Sequence, residues 1–244
     1  MSVHRSARGF DSAAAVYDRV RPGYTREAVD WLVRILSDPV VDLAAGTGKL
    51  TAPLSERLAV TAIEPSEPML AVLRERAPRA QALTGTAEAI PLPDASAGSV
   101  VVAQAFHWFR HEEALEEIHR VLRPGGRLAL VWNRRDLSAP AHAAIEDVLA
   151  RHKGDTPRHR DGDWRRAIDA SELFEPLAEE ELPNMQRLPR GGLGDRVAST
   201  SFIAALPDAE RAAVMDEVAA IEARLPDPVE LPHVTELFAF RRRG

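Results

Sequence analysis

A short apolar run that ends in two closely spaced glycines, Val40-Val-Asp-Leu-Ala-Ala-Gly-Thr-Gly-Lys-Leu-Thr51, restricts this chain more than any other segment. A run of that length reads as a strand buried on both faces. Gly46 and Gly48 then stand where the backbone needs positive φ, or where a ligand touches main chain with no Cβ between. A helical pattern resumes over 49–58. In a doubly wound sheet such a strand–helix turn lies at the carboxyl end of the strands, where ligands bind.

The same unit recurs. Strands are read at 39–44, 60–63, 80–83, 99–103 and 127–132, with helices between them. Thr25 opens a helix over 25–36 and Ser66 caps another through Met69, Leu70 and Leu73, with Pro68 tolerated in its first turn. Leu115, Ile118 and Leu122 face inward from a helix over 111–122, which Pro124-Gly125-Gly126 stops. Beyond Trp132 the pattern loosens. Short helices at about 140–151 and 163–170 suggest a cap over 134–190, followed by a strand at 181–188, a helix from Pro207 to Leu225 and a last strand over 234–240. Alternating strands and helices imply right-handed βαβ units. The expected fold is α/β: a doubly wound, Rossmann-like, seven-stranded, mostly parallel sheet with helices on both faces and a small helical cap. The expected organisation is a covering segment with the first helix over 1–37, then one domain over 38–244.

Composition narrows the function. The 244 residues are 45% hydrophobic and 28% charged, the balance of an ordinary globular chain. Thirty-one basic against thirty-seven acidic residues give a net charge of −6, which disfavours a nucleic-acid partner. There is no cysteine, so no disulfide and no thiolate chemistry. Met1 to Phe10 has no apolar run of a signal peptide, and nowhere do eighteen apolar residues follow one another. A cytoplasmic location without a membrane partner is the expectation; the oligomeric state is left open.

Eighteen residues after Gly46, at the end of the second strand, stands Glu64. A carboxylate there suits both hydroxyls of a ribose. A phosphate-cradling loop of the form G-x-x-x-x-G-K-[ST] fails, because positions 43 and 50 are both leucine. The dinucleotide pattern G-x-G-x-x-G/A lacks its third small residue, since Thr51 stands there. A nucleoside bound without a pyrophosphate is the third reading.

The loop, carried by Asp42, Ala44, Gly46 and Gly48, resembles the first motif of class I S-adenosylmethionine-dependent methyltransferases, with Ala44 in place of a glycine. Ile63-Glu64-Pro65-Ser66 with Met69-Leu70, then Gly85-Thr-Ala-Glu-Ala-Ile-Pro-Leu-Pro-Asp94, then Ile118 through Arg127 are similar to the family's following segments, in order across residues 40–133. The stretch from Phe10 to Tyr24 and Gln104-Ala-Phe-His-Trp-Phe109 resemble the branch of ubiquinone/menaquinone-type and trans-aconitate-type methyltransferases. The resemblance implies S-adenosylmethionine as cofactor and a small-molecule acceptor. It implies Glu64, with Pro65, Ser66 and Met69, at the ribose, and Thr86, Ala87 and Glu88 at the adenine. Gln104 would meet the methionine end. Tyr17 and Arg21 would cover the cofactor, Arg21 as a partner for the methionine carboxylate or as a surface arginine.

Methyl transfer from a sulfonium is an in-line displacement that chiefly needs alignment and exclusion of water. A base is required only where the acceptor must lose a proton. His107 is the candidate for that base, the alternative being a histidine that orients substrate. Phe106, His107 and Trp108 are candidate walls of the acceptor pocket, with ordinary core as the other reading. A carboxylate acceptor would draw on some of Arg134, Arg135, Arg158, Arg160, Arg165 and Arg166, which otherwise are solvated surface. His152 and His159 lack a metal-ligand spacing, and no metal is expected. A catalytically inactive cofactor-binding relative and, behind it, an NAD(P)-dependent oxidoreductase are the competing functions.

Overall fold

The computed structural model describes residues 18–244. Its strands are β1 (Val40–Leu43), β2 (Val60–Ile63), β3 (Gln81–Leu83), β4 (Ala97–Ala103), β5 (Leu122–Arg135), β6 (Phe174–Leu188) and β7 (Val229–Arg242). Its helices of four residues or more are α1 (Arg26–Ile35), α2 (Thr51–Ser55), α3 (Glu67–Arg76), α4 (His111–Val121), α5 (Pro140–Ala150), α6 (Asp163–Ser171), α7 (Gly192–Ala198), α8 (Ser201–Ala204) and α9 (Asp208–Glu222). The seven strands form one sheet in the order β3-β2-β1-β4-β5-β7-β6. β1 pairs in parallel with β2 on one side and β4 on the other, and β3 and β5 continue the parallel pairing outward.

Strand sequences divide their side chains between two cores. Val41, Leu43, Val100, Val102, Leu128, Leu130 and Trp132 enter one cluster, together with Ala114, Leu115, Ile118 and Val121 of α4. Their neighbours Val40, Val101, Ala129 and Val131 enter another, with Ala28, Val29, Trp31 and Leu32 of α1. Alternate side chains of a strand point to opposite faces, so a strand covered by helices on both sides has to be apolar throughout. All four residues of β1 are buried, including Asp42. α1 begins at Thr25, whose side chain accepts the Ala28 N–H, and Ser66 caps α3 by accepting from Met69; both caps agree with the sequence reading.

The chain falls into two compact units. One holds residues 23–132, 157–182 and 235–244; the other holds the segment through Pro22 together with 133–156 and 183–234. This divides the sequence differently from a single inserted cap over 134–190, because 157–182, including α6, belongs with the first unit. The second unit has its own core of Ile145, Val148 and Leu149 from α5, Leu193 and Val197 from α7, Ile203 from α8 and Val214 and Val218 from α9. α7 and α8 were not visible in the sequence. α7 starts at Gly192, and its first N–H groups find an acceptor far away in the chain: Glu222 takes Gly191 N–H at 2.9 Å and Leu193 N–H at 3.2 Å. The sixth strand is also longer than read, and β5 starts at Leu122, so Pro124-Gly125-Gly126 is an irregularity inside a strand rather than the turn before it. Among the described residues no helix is long and apolar enough to cross a membrane, and no cluster of side chains could hold a metal ion.

Candidate functional site

The strand order reverses at β1: the chain moves outward to β2 and β3, then returns to place β4 on the other side. At such a switch point the loops leaving neighbouring strands diverge and open a crevice beyond their carboxyl ends. Here those loops begin at Ala44 and Gln104. Both have left-handed backbone, with φ of 57° at Ala44 and 62° at Gln104. Neither is a glycine, and such strain gathers where a site demands it. Gln104 N–H is anchored on Val131 O at 2.8 Å, and its side-chain Nε2 is buried with no hydrogen-bond partner among the described residues.

The loop after β1 is held from within. Gly46 and Gly48 have φ of 57° and 79°, and a Cβ on Gly48 would come within 2.9 Å of Leu73 Cγ. A Cβ on Gly46 would meet nothing nearer than Met69 Sδ at 3.9 Å, so its main chain borders open space. The side chain of Thr51, first residue of α2, donates to Asp42 Oδ2 at 2.6 Å, while Asp42 Oδ1 is buried with no hydrogen-bond partner among the described residues. Burial pushes the Asp42 carboxyl up to about 7; the Thr51 bond acts the other way, and the charge of Glu64 adds to the rise.

Glu64 is 6% exposed. Its Oε2 accepts Gly46 N–H at 3.0 Å and its Oε1 accepts Ser66 N–H at 3.1 Å. One carboxylate therefore ties the glycine loop to the turn that starts α3. Each carboxylate oxygen has two lone pairs and can accept more than one hydrogen bond. Pro65 is exposed between them, and Met69 is buried beside Gly46.

The turn after β3 is fixed by a network that sequence reasoning missed. Thr86 bridges Ala89, and Ala87 is buried. Glu88 Oε1 accepts the N–H of Arg110, the residue capping α4, at 3.1 Å, so that carboxylate is engaged within the protein. Arg120 of α4 donates to the carbonyls of Ile90 and Leu92 and to the carboxylates of Glu117 and Asp94. Glu117 in turn accepts Ile90 N–H, and its bond to Arg120 holds its carboxyl below the usual range. The sequence placed Arg120 only in a helix–turn motif; its reach back to 90–94 depends on how α4 packs.

His107 follows in a short turn over Phe106–Trp108. Its Nδ1 accepts from Trp132 Nε1 at 3.3 Å. Burial, then the neighbouring His159 and His111, push the imidazole down to about 3, so the ring is neutral. A neutral ring whose Nδ1 is an acceptor carries its proton on Nε2. This geometry gives His107 an Nε2–H donor to offer. Phe106 has no exposed surface; it packs edge-on against Phe109 at 5.5 Å and stacks on His111 at 5.1 Å within the core. Its part is therefore packing rather than pocket lining, because the turn directs it back onto the sheet. Trp108 is partly exposed beside His107.

Behind His107 stands an aromatic wall drawn from distant segments. Trp132 stacks on His159 at 4.5 Å and meets Trp164 at a tilt at 4.7 Å, and Trp164 meets Phe238 at 4.9 Å. His159 Nε2 lies 2.8 Å from Glu236 Oε2. No local spacing in the sequence links these residues.

Tyr17 lies outside the described residues. Arg21 belongs to the second unit, where its guanidinium donates to Ser199 O at 2.7 Å, so at least one donor is engaged inside the protein.

The residues fit an adenosyl amino acid. The buried atoms Asp42 Oδ1 and Gln104 Nε2, which have no hydrogen-bond partner among the described residues, the open main chain at Gly46 and the carboxylate of Glu64 match its amine, hydroxyl and carboxylate groups.

The comparisons with known proteins agree. Residues 41–130 match the family model described as a methyltransferase domain. An uncharacterized methyltransferase of Mycobacterium tuberculosis is 41% identical over 232 residues, 93% of this chain and 92% of that protein. An uncharacterized methyltransferase-like protein of Schizosaccharomyces pombe is 34% identical over 250 residues, 98% of this chain and 97% of its own length. Among solved structures, one described as a putative type II methyltransferase from Anaeromyxobacter dehalogenans superposes with a TM-score of 0.69 at 24% identity, covering 91% of this chain and 97% of that one, which shows the shared fold. With near-complete coverage by such relatives and the glycine loop seated at the switch point, the chain belongs to the class I S-adenosylmethionine-dependent methyltransferases.

Proposed function

We propose that this enzyme moves the methyl group of S-adenosylmethionine to a small-molecule acceptor. The observation that carries the reading is Glu64, whose two carboxylate oxygens fix the glycine loop and the α3 turn on either side of the space beside Gly46. In this reading Glu64 holds the ribose hydroxyls while Pro65, Ser66 and Met69 shape the wall around them. The main chain at Ala44, Gly46 and Gly48 lies against the methionine part, with Asp42 and Gln104 offering an acceptor and a donor. Thr86 and Ala87 flank the adenine. Glu88, already bound to Arg110 N–H, positions that turn from outside.

When bound, the cofactor supplies an activated methyl on a sulfonium, a leaving group that needs no proton. The protein's work is alignment and the exclusion of water. His107 Nε2–H donates a hydrogen bond that orients an oxygen of the acceptor, and Trp132 fixes the ring for that task. Trp108 borders the acceptor.

Isothermal titration calorimetry against S-adenosylhomocysteine and NAD tests the cofactor, and radiolabelled methyl transfer to a panel of small hydroxy, amino and carboxylic acids tests the acceptor class. Binding of S-adenosylhomocysteine with transfer to a panel member is expected. Cofactor binding without transfer to any acceptor would favour an inactive cofactor-binding relative.

A further inference from the structure

Trp132 stands at the carboxyl end of the sheet. Val131 before it pairs with Ala103, the last residue of β4, and Gln104 N–H reaches back to Val131 O. Trp132 therefore borders the loop that carries His107. Its side chain is 2% exposed and gives its single donor, the indole N–H, to His107 Nδ1 at 3.3 Å. The strand fixes the Trp132 backbone but not the rotation of its ring, because the torsion that turns an aromatic plane is broad. Neighbouring side chains decide where the N–H points. His159 lies on the indole at 4.5 Å with 28° between the planes, and Trp164 of α6 tilts against it at 4.7 Å.

His159 comes from no long element. It opens a single helical turn, His159–Asp161, which Gly162 ends in left-handed backbone. So short a turn does not hold a ring by itself. Three contacts hold it instead. Asp161 Oδ2 accepts the Arg158 N–H at 3.0 Å, the His159 carbonyl accepts Trp164 Nε1 at 2.9 Å, and His159 Nε2 lies 2.8 Å from Oε2 of Glu236 in β7. Glu236 is 7% exposed. A carboxylate is costly to bury without a partner, and the imidazole supplies one. All of these residues lie in the unit that holds 23–132, 157–182 and 235–244. His159 also acts on His107 through space: after burial, it is the largest influence that keeps that ring neutral.

We propose that His159, clamped by Glu236, is a positioning residue for acceptor recognition: it fixes the plane of Trp132 and through it keeps the His107 proton on Nε2. A fixed N–H donor favours an acceptor with an oxygen lone pair beside the methylated atom. It disfavours an ammonium group there, which brings only donors. The step from Nε2–H to the acceptor rests on the function proposed above; the clamp does not.

Nitrogen resonances of the histidine-labelled full chain test the clamp without any acceptor. Wild type should show His107 as the Nε2–H tautomer. His159→Ala and Glu236→Leu should each move both His107 ring nitrogens toward a tautomer average, and Glu236→Gln, which keeps an oxygen beside the imidazole, should move them less. His159→Phe keeps an aromatic face but loses the Glu236 contact, so it should restore the signals only in part. Circular dichroism and an unchanged S-adenosylhomocysteine Kd confirm that the variants fold. With a hydroxy or carboxylic acid that wild type methylates, His159→Ala should raise KM about five- to tenfold and leave kcat within about twofold. Wild-type His107 signals in His159→Ala, or full restoration by His159→Phe, would overturn the proposal, since filling space would then explain the residue. Absence of wild-type transfer to every acceptor would remove the acceptor part alone, and the His107 signals would still decide the clamp.

Discussion

Trp132 donates its indole N–H to His107 Nδ1 at 3.3 Å, and this single contact sets the chemistry available to the histidine. With Nδ1 occupied and the ring neutral, the other nitrogen is a donor. Histidine nitrogen chemical shifts should show His107 neutral down to about pH 4 and protonated on Nε2, since burial pushes it to about 3. Trp132→Phe should leave a mixture of tautomers. A ring that titrates near 6.5 would restore the base.

Ala44→Gly should stabilise the protein. Ala44 holds φ of 57°, a conformation that costs an L-residue about 1–2 kcal/mol, of which glycine's extra unfolded-state entropy takes back about 0.5–1. A gain of roughly 0.5–1 kcal/mol in urea unfolding is expected, with no loss of S-adenosylhomocysteine affinity. A destabilised variant would show that the loop does not need this backbone.

The sheet and the site were legible in the sequence to different depths. β1, β4 and β5 announce themselves because their buried stretches, Val40–Leu43, Val100–Val102 and Leu128–Trp132, are apolar almost throughout. Asp42, Gly46, Gly48 and Glu64 were legible because a tight turn and a strand-end carboxylate leave local marks. Trp132, His159 and Glu236 were not, since three segments far apart in the chain meet only through packing. α7 was missed for a similar reason: its N-terminal acceptor, Glu222, lies in another helix. α9 buries Glu222 beside Val214 and Val218, and its hydrogen bonds to Gly191 and Leu193 justify burying a carboxylate there.

Glu64→Gln should weaken S-adenosylhomocysteine binding about 10- to 100-fold. One oxygen becomes an NH2 that cannot accept Gly46 N–H or Ser66 N–H, so a buried donor loses its partner at a cost of about 1–3 kcal/mol. Calorimetry on the variant, with circular dichroism to confirm folding, checks it. Unchanged affinity would remove Glu64 from the ribose.

Stability should fall on mild acidification. His107, His142 and His233 have folded pKa values of about 3, 4 and 3, below the unfolded value of 6.5. Between pH 6.5 and 4 the unfolded chain binds more protons, so each ring removes up to about 1.4 kcal/mol per pH unit. Asp42, raised to about 7, has the opposite sign: its contribution is full below pH 3.8 and is lost as pH rises through 7. One group offsets part of three, and the net slope favours neutral pH. Asp42→Asn should therefore steepen the acid loss and gain stability at pH 8, read as Tm across a pH series. A pH-independent Tm between 6.5 and 4.5 would contradict these assignments.

The central claim is that the crevice between the glycine loop and Glu64 takes an adenosyl amino acid. Calorimetric titration of the wild-type chain with S-adenosylhomocysteine tests it most directly. Saturable one-to-one binding with a Kd on the order of micromolar, and no heat with NAD, is the predicted result. No heat with S-adenosylhomocysteine, or tighter binding of NAD, would contradict it.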